Sequence, residues 1–132
     1  LGTFVLSSGF YDAYYKKAQK LRGAIINSFN NVFSKCDVIL TATTPNVSFN
    51  KGFTAREPIE TYKSDLCTVP VNIAGLPAIS IPCGFNNEGL PIGLQLIGNR
   101  FEESKILNIA YNFESVTRET MFRSPDMGVK LI

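Results

Sequence analysis

The side chains best able to do chemistry in this chain are three cysteines, Cys36, Cys67 and Cys83, and a mixed set of acids and amines, with no histidine among them. Without an imidazole, neither a Ser-His-Asp nor a Cys-His pair can be assembled from these residues. The cysteines are widely spaced and form no C-x-x-C, so no metal site is expected. Cys83 has no base to activate it and reads as a small buried hydrophobe. Ser48 and Lys51 have the S-x-x-K spacing that a helix needs to bring a hydroxyl and an amine onto one face. They stand among Pro45, Asn46, Asn50 and Gly52, which disfavour a helix, so the match is discounted. No G-x-x-x-x-G-K or G-x-G-x-x-G loop is present to cradle a phosphate. Asp65 stands apart, as one of few acids in the most apolar stretch of the chain. Two roles suit it. A carboxylate at a helical break can accept hydrogen bonds from the ammonium or amide group of a small ligand. It can equally cap the helix that follows, with Thr68 or Val69 donating.

The elements that must position Asp65 follow from spacing. Pro58 opens a short helix carrying Ile59, Tyr62 and Leu66, and Pro70 interrupts it, since a mid-helix proline removes a hydrogen bond and clashes with the preceding turn. Two helical pieces are therefore expected to meet near Cys67–Val69, the second ending at Gly75. "LPAISIPCG" and "PIGLQLIG" alternate as two strands around the turn "FNNEGL" and are expected to pair as a hairpin. Pro82 lacks a ladder donor, which places it at an edge or a bulge, and Gly93 implies close approach of another backbone. Upstream, Phe10, Tyr14, Ala18, Leu21, Ile25, Phe29 and Val32 draw one apolar stripe along a helix from about Gly9 to Ser34, with Ser7 or Ser8 as cap and Asp12 paired with Lys16. Val38 to Ala42 is a continuous apolar run, expected to be a strand buried on both faces in the middle of a sheet. A last helix runs from about Phe101 to Thr117, with Asn99 and Glu102 as a capping box. The tail after Thr117 shows no period and reads as loosely ordered.

The whole is α/β, a single domain or part of one, with 132 residues, 45% of them hydrophobic. A net charge of +2, from 13 basic and 11 acidic residues, is too balanced to indicate a nucleic-acid surface. Lys16, Lys17, Lys20 and Arg22 read as a solvated helix face. Unpaired cysteines suit a reducing, cytoplasmic setting. Neither a signal segment nor a membrane-length apolar run is evident, so Asn46-Val47-Ser48 reads as a chance match to the glycosylation pattern. Opening in mid-pattern on Leu1, the chain is expected to be part of a longer protein and to supply one side of a larger mixed sheet flanked by helices. A strand as apolar as Val38–Ala42 must be covered by something, so the piece alone is expected to self-associate.

"TVPVNIAGLPAISIPCGFNNEGLPIGLQLIG" resembles the C-terminal segment of the amidase-signature family, and "LGTFVLSSGFYDAYYKKAQKLR" and "CDVILTATTP" resemble its tRNA-dependent amidotransferase members. The resemblance covers about residues 1–117 and fails over 118–132. It implies the C-terminal portion of the amidase-signature fold, with this stretch in the wall of an amide-substrate pocket. It also implies that Asp65 is the substrate-binding residue that grips the α-ammonium of glutamine. The family's two serines and lysine belong to segments that this chain does not contain, so no catalytic residue is carried over and the piece alone should be inactive. The implied activity of the full protein is glutamine hydrolysis, with the ammonia passed on to convert Glu-tRNA(Gln) to Gln-tRNA(Gln). Subunits B and C are the implied partners. The partner that activates Glu-tRNA(Gln) would carry the ATP and magnesium, with no cofactor in this chain. Two other readings stay open: part of a general amidase acting on another small amide, or a non-catalytic module that binds a partner protein through an exposed sheet edge.

Overall fold

The computed structural model describes residues 14–48 and 62–121. The expected helix start near Gly9 with its Ser7 or Ser8 cap and Asp12, the start at Pro58, most of the S-x-x-K stretch and residues 122–132 lie outside the described residues. Two long helices, a short one and three strands follow in the order α1 (Lys16–Phe33), β1 (Val38–Ala42), α2 (Val69–Ala74), β2 (Ala78–Phe85), β3 (Pro91–Gly98) and α3 (Glu103–Met121). The class is α/β, as expected. The strands form one sheet in the order β1-β3-β2, and both pairings are antiparallel.

The hairpin forms as its alternation predicts, with Ile79 opposite Leu96 and Ser80 opposite Gln95. Its register slips between Pro82 and Gly84, so that Cys83 is the extra residue of a bulge, at the place where the missing proline donor breaks the ladder. Cys83 is half-buried there, and its Sγ lies 3.5 Å from the Ile92 carbonyl oxygen. Leu96 is the largest fully buried side chain. It packs with Ile106 and Ala110 of α3, flanked by Val38, Ile79 and Ile81, so one face of the sheet is closed chiefly by apolar contact. Gly98 permits this packing, because a Cβ there would lie 2.8 Å from Ile106 Cγ2.

Four outcomes among the described residues differ from expectation. First, among the described residues β1 stands at one end of the strand order, and Leu40 is 63% exposed in this chain alone. An apolar run on both faces implies a cover, but the described residues supply β1 with a partner on one side only. Second, the stripe on α1 is uncovered over much of its length. Tyr14, Leu21 and Val32 are exposed and no residue of α1 is fully buried. Third, Asn99 and Glu102 do not form a reciprocal capping box. Phe101 takes φ 62°, a turn that brings the Glu102 N–H onto the main-chain oxygen of Asn99 at 3.1 Å. The Asn99 side chain then accepts from Arg100 N–H at 2.8 Å. Glu102 instead pairs with Lys105 at 2.9 Å. The helix also continues through Met121 rather than stopping at Thr117.

Candidate functional site

The other face of the sheet is built differently. Residues 62–64 form a helical turn, 65–68 a tight turn, and α2 begins at Val69 with Pro70 in its first turn, where a missing N–H costs nothing. Gly75 ends the helix at φ 69°, a left-handed conformation that glycine adopts without penalty. The break and the stop both fall where the proline and glycine spacing places them. Val71 and Ala74 are buried, and α2 packs against α1.

Two guanidinium groups, from opposite ends of the chain, close the C-terminal end of α2. Arg22 Nε donates to the Ile73 carbonyl at 3.0 Å, and Arg100 Nη2 donates to the Ala74 carbonyl at 3.0 Å. These are the oxygens a helix leaves without an internal partner, and cations are favoured beside them. Arg22 is therefore not simply part of a solvated basic face.

Between α2 and the sheet lies a cavity of about 360 Å³. Thr68, Val71 and Asn72 line it from the helix side. Thr43, Ser80 and Gln95 line it from the sheet side. Thr43 Oγ1 and Ser80 Oγ are 2.6 Å apart and share a hydrogen bond across Gly93. A Cβ on Gly93 would stand 2.9 Å from Thr43 Oγ1 and 3.1 Å from Ser80 Oγ. The close approach expected at Gly93 is thus made by two hydroxyl side chains, alongside the hydrogen bond from Thr43 N–H to the Gly93 carbonyl. Gln95 is 4% exposed, and its Nε2 donates to the Cys67 carbonyl at 3.0 Å. Such a wall presents hydroxyls and amides on an otherwise apolar floor, which suits a small polar molecule with an amide or ammonium group.

Asp65 lies in the turn that leads into this wall. Its main-chain oxygen accepts from Thr68 N–H at 3.1 Å and Val69 N–H at 3.0 Å, and Thr68 Oγ1 lies 3.3 Å from it. The side-chain cap is therefore not made as expected. The residue at the cap position is Thr68, with no side-chain cap bond, and Thr68 and Val69 turn to the carbonyl of Asp65 rather than its carboxylate. Asp65 itself is exposed in this chain alone and does not line the cavity, while Thr68, three residues on, does. Sequence reasoning did not single out Gln95, Thr43, Ser80 or the two arginines. For Gln95 a signal existed: it is the one amide in the run "PIGLQLIG". Among the described residues no group of three or more His, Cys, Asp or Glu could hold a metal ion, and no helix is long and apolar enough to cross a membrane.

A hairpin packed between a long helix on one face and a short proline-led helix over a polar cavity on the other defines the class, and the chain belongs to the amidase family, whose sequence model matches residues 1–107. It is 57% identical over 114 residues to the A subunit of the glutamyl-tRNA(Gln) amidotransferase of Brevibacillus brevis, an alignment covering 86% of this chain and 23% of that protein. The corresponding subunit of Prochlorococcus marinus subsp. pastoris is 55% identical over 129 residues, 98% of this chain and 26% of the relative. The crystal structure of the Thermotoga maritima A subunit superposes with a TM-score of 0.75 at 42% identity, over 94% of this chain and 28% of that one. The chain thus spans about a quarter of the length of the relatives it matches.

Proposed function

We propose that this chain is part of the glutamine-hydrolysing subunit of a Glu-tRNA(Gln) amidotransferase, and that within it Asp65 binds the α-ammonium of glutamine. The observation that carries the reading is the 57% identity to the A subunit of such an amidotransferase over 86% of the chain. The turn holding Asp65 leads into the wall of the polar cavity, which supports its role in binding. An ammonium meeting a carboxylate at hydrogen-bond distance gives one of the stronger single contacts available to a small ligand. A carboxylate also discriminates: an amide substrate without an ammonium has no use for it.

On this reading the chain contributes wall and ligand contact, and the reacting serines and lysine lie elsewhere in the full-length subunit. The piece alone is inactive. Partner subunits take up the ammonia and carry the ATP- and magnesium-dependent activation of Glu-tRNA(Gln).

The test is Asp65→Asn in the full-length protein, assayed for ammonia release from glutamine. The substitution keeps the shape and removes the charge. KM for glutamine should rise roughly tenfold or more, the size expected for losing a charge-assisted hydrogen bond, with a smaller change in kcat. An unchanged KM would remove the ammonium role and point to a general amidase.

A further inference from the structure

We propose that Gln95 is a positioning residue that holds the turn bearing Asp65 in its ligand-binding place. The inference rests on the reading of Asp65 given above and extends it to a cavity-lining residue whose amide NH2 is engaged by the Cys67 carbonyl.

Gln95 is the one buried polar side chain among the described residues, 4% exposed at the middle of β3. β3 is the central strand, flanked on both sides, so its backbone is the most firmly held in the sheet. From there the amide reaches across the floor of the cavity to the Cys67 carbonyl, 28 residues away in sequence. A carbonyl oxygen can only accept, so the group facing it must be the amide NH2 of Gln95. Cys67 sits between Asp65 and Thr68, in a turn where the Thr68 and Val69 N–H groups and the Thr68 hydroxyl converge on the Asp65 carbonyl, while the Asp65 and Leu66 N–H groups reach back to the Tyr62 and Lys63 carbonyls. The turn is thus a closed unit, and Gln95 joins it to the sheet near its midpoint.

The consequence is geometric. The Asp65 side chain is exposed. Nothing within the turn fixes its distance from the cavity floor, whereas the bond from Gln95 does. Losing it leaves the half-buried Cys67 carbonyl without this donor, and a turn that shifts to recover one carries Asp65 with it. A shift of this kind weakens a contact made by Asp65 without touching the reacting groups. It should therefore appear in KM and not in kcat.

The experiment uses the full-length amidotransferase complex and two amides. One is glutamine; the other is 4-carbamoylbutanoate, which is glutamine without its α-amino group. Gln95→Met keeps the length and packing and removes the donor. It should raise KM for glutamine about five- to tenfold, the loss expected for one buried hydrogen bond acting through one contact. It should leave kcat within about twofold and leave KM for 4-carbamoylbutanoate unchanged (or its Ki, where turnover is too slow). In an Asp65→Asn background the same change should add less than about twofold, because both substitutions would remove one interaction. If Gln95→Met does not assemble, Gln95→Asn, which keeps the amide but falls short of Cys67, carries the same comparison.

Equal losses on both amides, or full additivity with Asp65→Asn, would reduce Gln95 to a packing residue and overturn the inference while leaving the Asp65 reading intact. If Asp65→Asn itself fails to lower the preference for glutamine, the underlying reading falls and takes this one with it.

Discussion

The two faces of the sheet are held by different forces. Toward α3 the contact is apolar: Leu96, Ile106 and Ala110 close on each other, and Gly98 lets the helix come near enough for them to do so. Toward α2, buried Val71, Ala74 and Ile97 are joined by polar contacts long in sequence, with Gln95 bonded to Cys67 at one end of the helical unit and Arg22 and Arg100 bonded to Ile73 and Ala74 at the other. Apolar burial is non-directional and holds a helix firmly in place. Hydrogen bonds from a few side chains hold a segment at chosen points and leave space between, and on this face that space is the cavity. The comparison teaches that the α3 face carries the stability of the sheet and the α2 face the shape of the site.

Breaking that division would take a substitution whose effect falls on the wrong side. Leu96→Ala should have the largest effect of all on stability. The side chain is 1% exposed at the centre of the cluster, and truncating a buried leucine costs about 2–5 kcal/mol, including the cavity left behind. Urea unfolding of the full-length protein measures it. A loss below about 1 kcal/mol would mean that the α3 face is not where the sheet is stabilised.

Arg100→Ala should be milder and local. It removes one donor to the last turn of α2, worth roughly 1 kcal/mol, and leaves the α3 face untouched. Native-state hydrogen exchange separates the two faces. Amides of residues 71–75 should exchange about fivefold faster, while those of Ile106 to Ala110 keep their protection. Equal acceleration on both sides would show that the faces unfold as one unit and that the division above is only geometric.

The same division decides what could be read from sequence. The apolar face was legible, because alternation in "PIGLQLIG" is a periodic signal and the hairpin is local. Pro70, Gly75 and Pro82 marked the helix start, the helix stop and the bulge, each through its own backbone chemistry. What sequence did not disclose was set by distance. Nothing near Gln95 announces Cys67 as its partner, and nothing near Arg22 announces Ile73, since their contacts span 28 and 51 residues. Asp65 was singled out for its chemistry, yet its expected capping bond went to a carbonyl, because the turn closes through the backbone. Val38–Ala42 was read correctly as a strand, and among the described residues it is paired on one side only. Its composition calls for a cover, and composition cannot say which part of the polypeptide provides it.

The smallest expected effect sharpens the comparison from the opposite side, by asking whether charge contributes anything to the α3 face. Lys105 lies at the surface in the first turns of α3, 2.9 Å from Glu102 and 3.3 Å from Asp37 just ahead of β1. Its hydrogen bond to Glu102, and then that to Asp37, raise its pKa above the ordinary lysine value of 10.5. A group whose pKa is higher in the folded state binds its proton more tightly there. Its contribution is fully present below 10.5 and is lost as pH rises through the folded value. Lys105→Met removes the charge and keeps the apolar stem. The Tm difference between the two proteins should be small and constant from neutral pH to about 10, then close above it, and 1 M salt should shrink it at every pH. A difference that persisted above the folded pKa would not come from the lysine charge, and the ion pair would then contribute nothing to the α3 face.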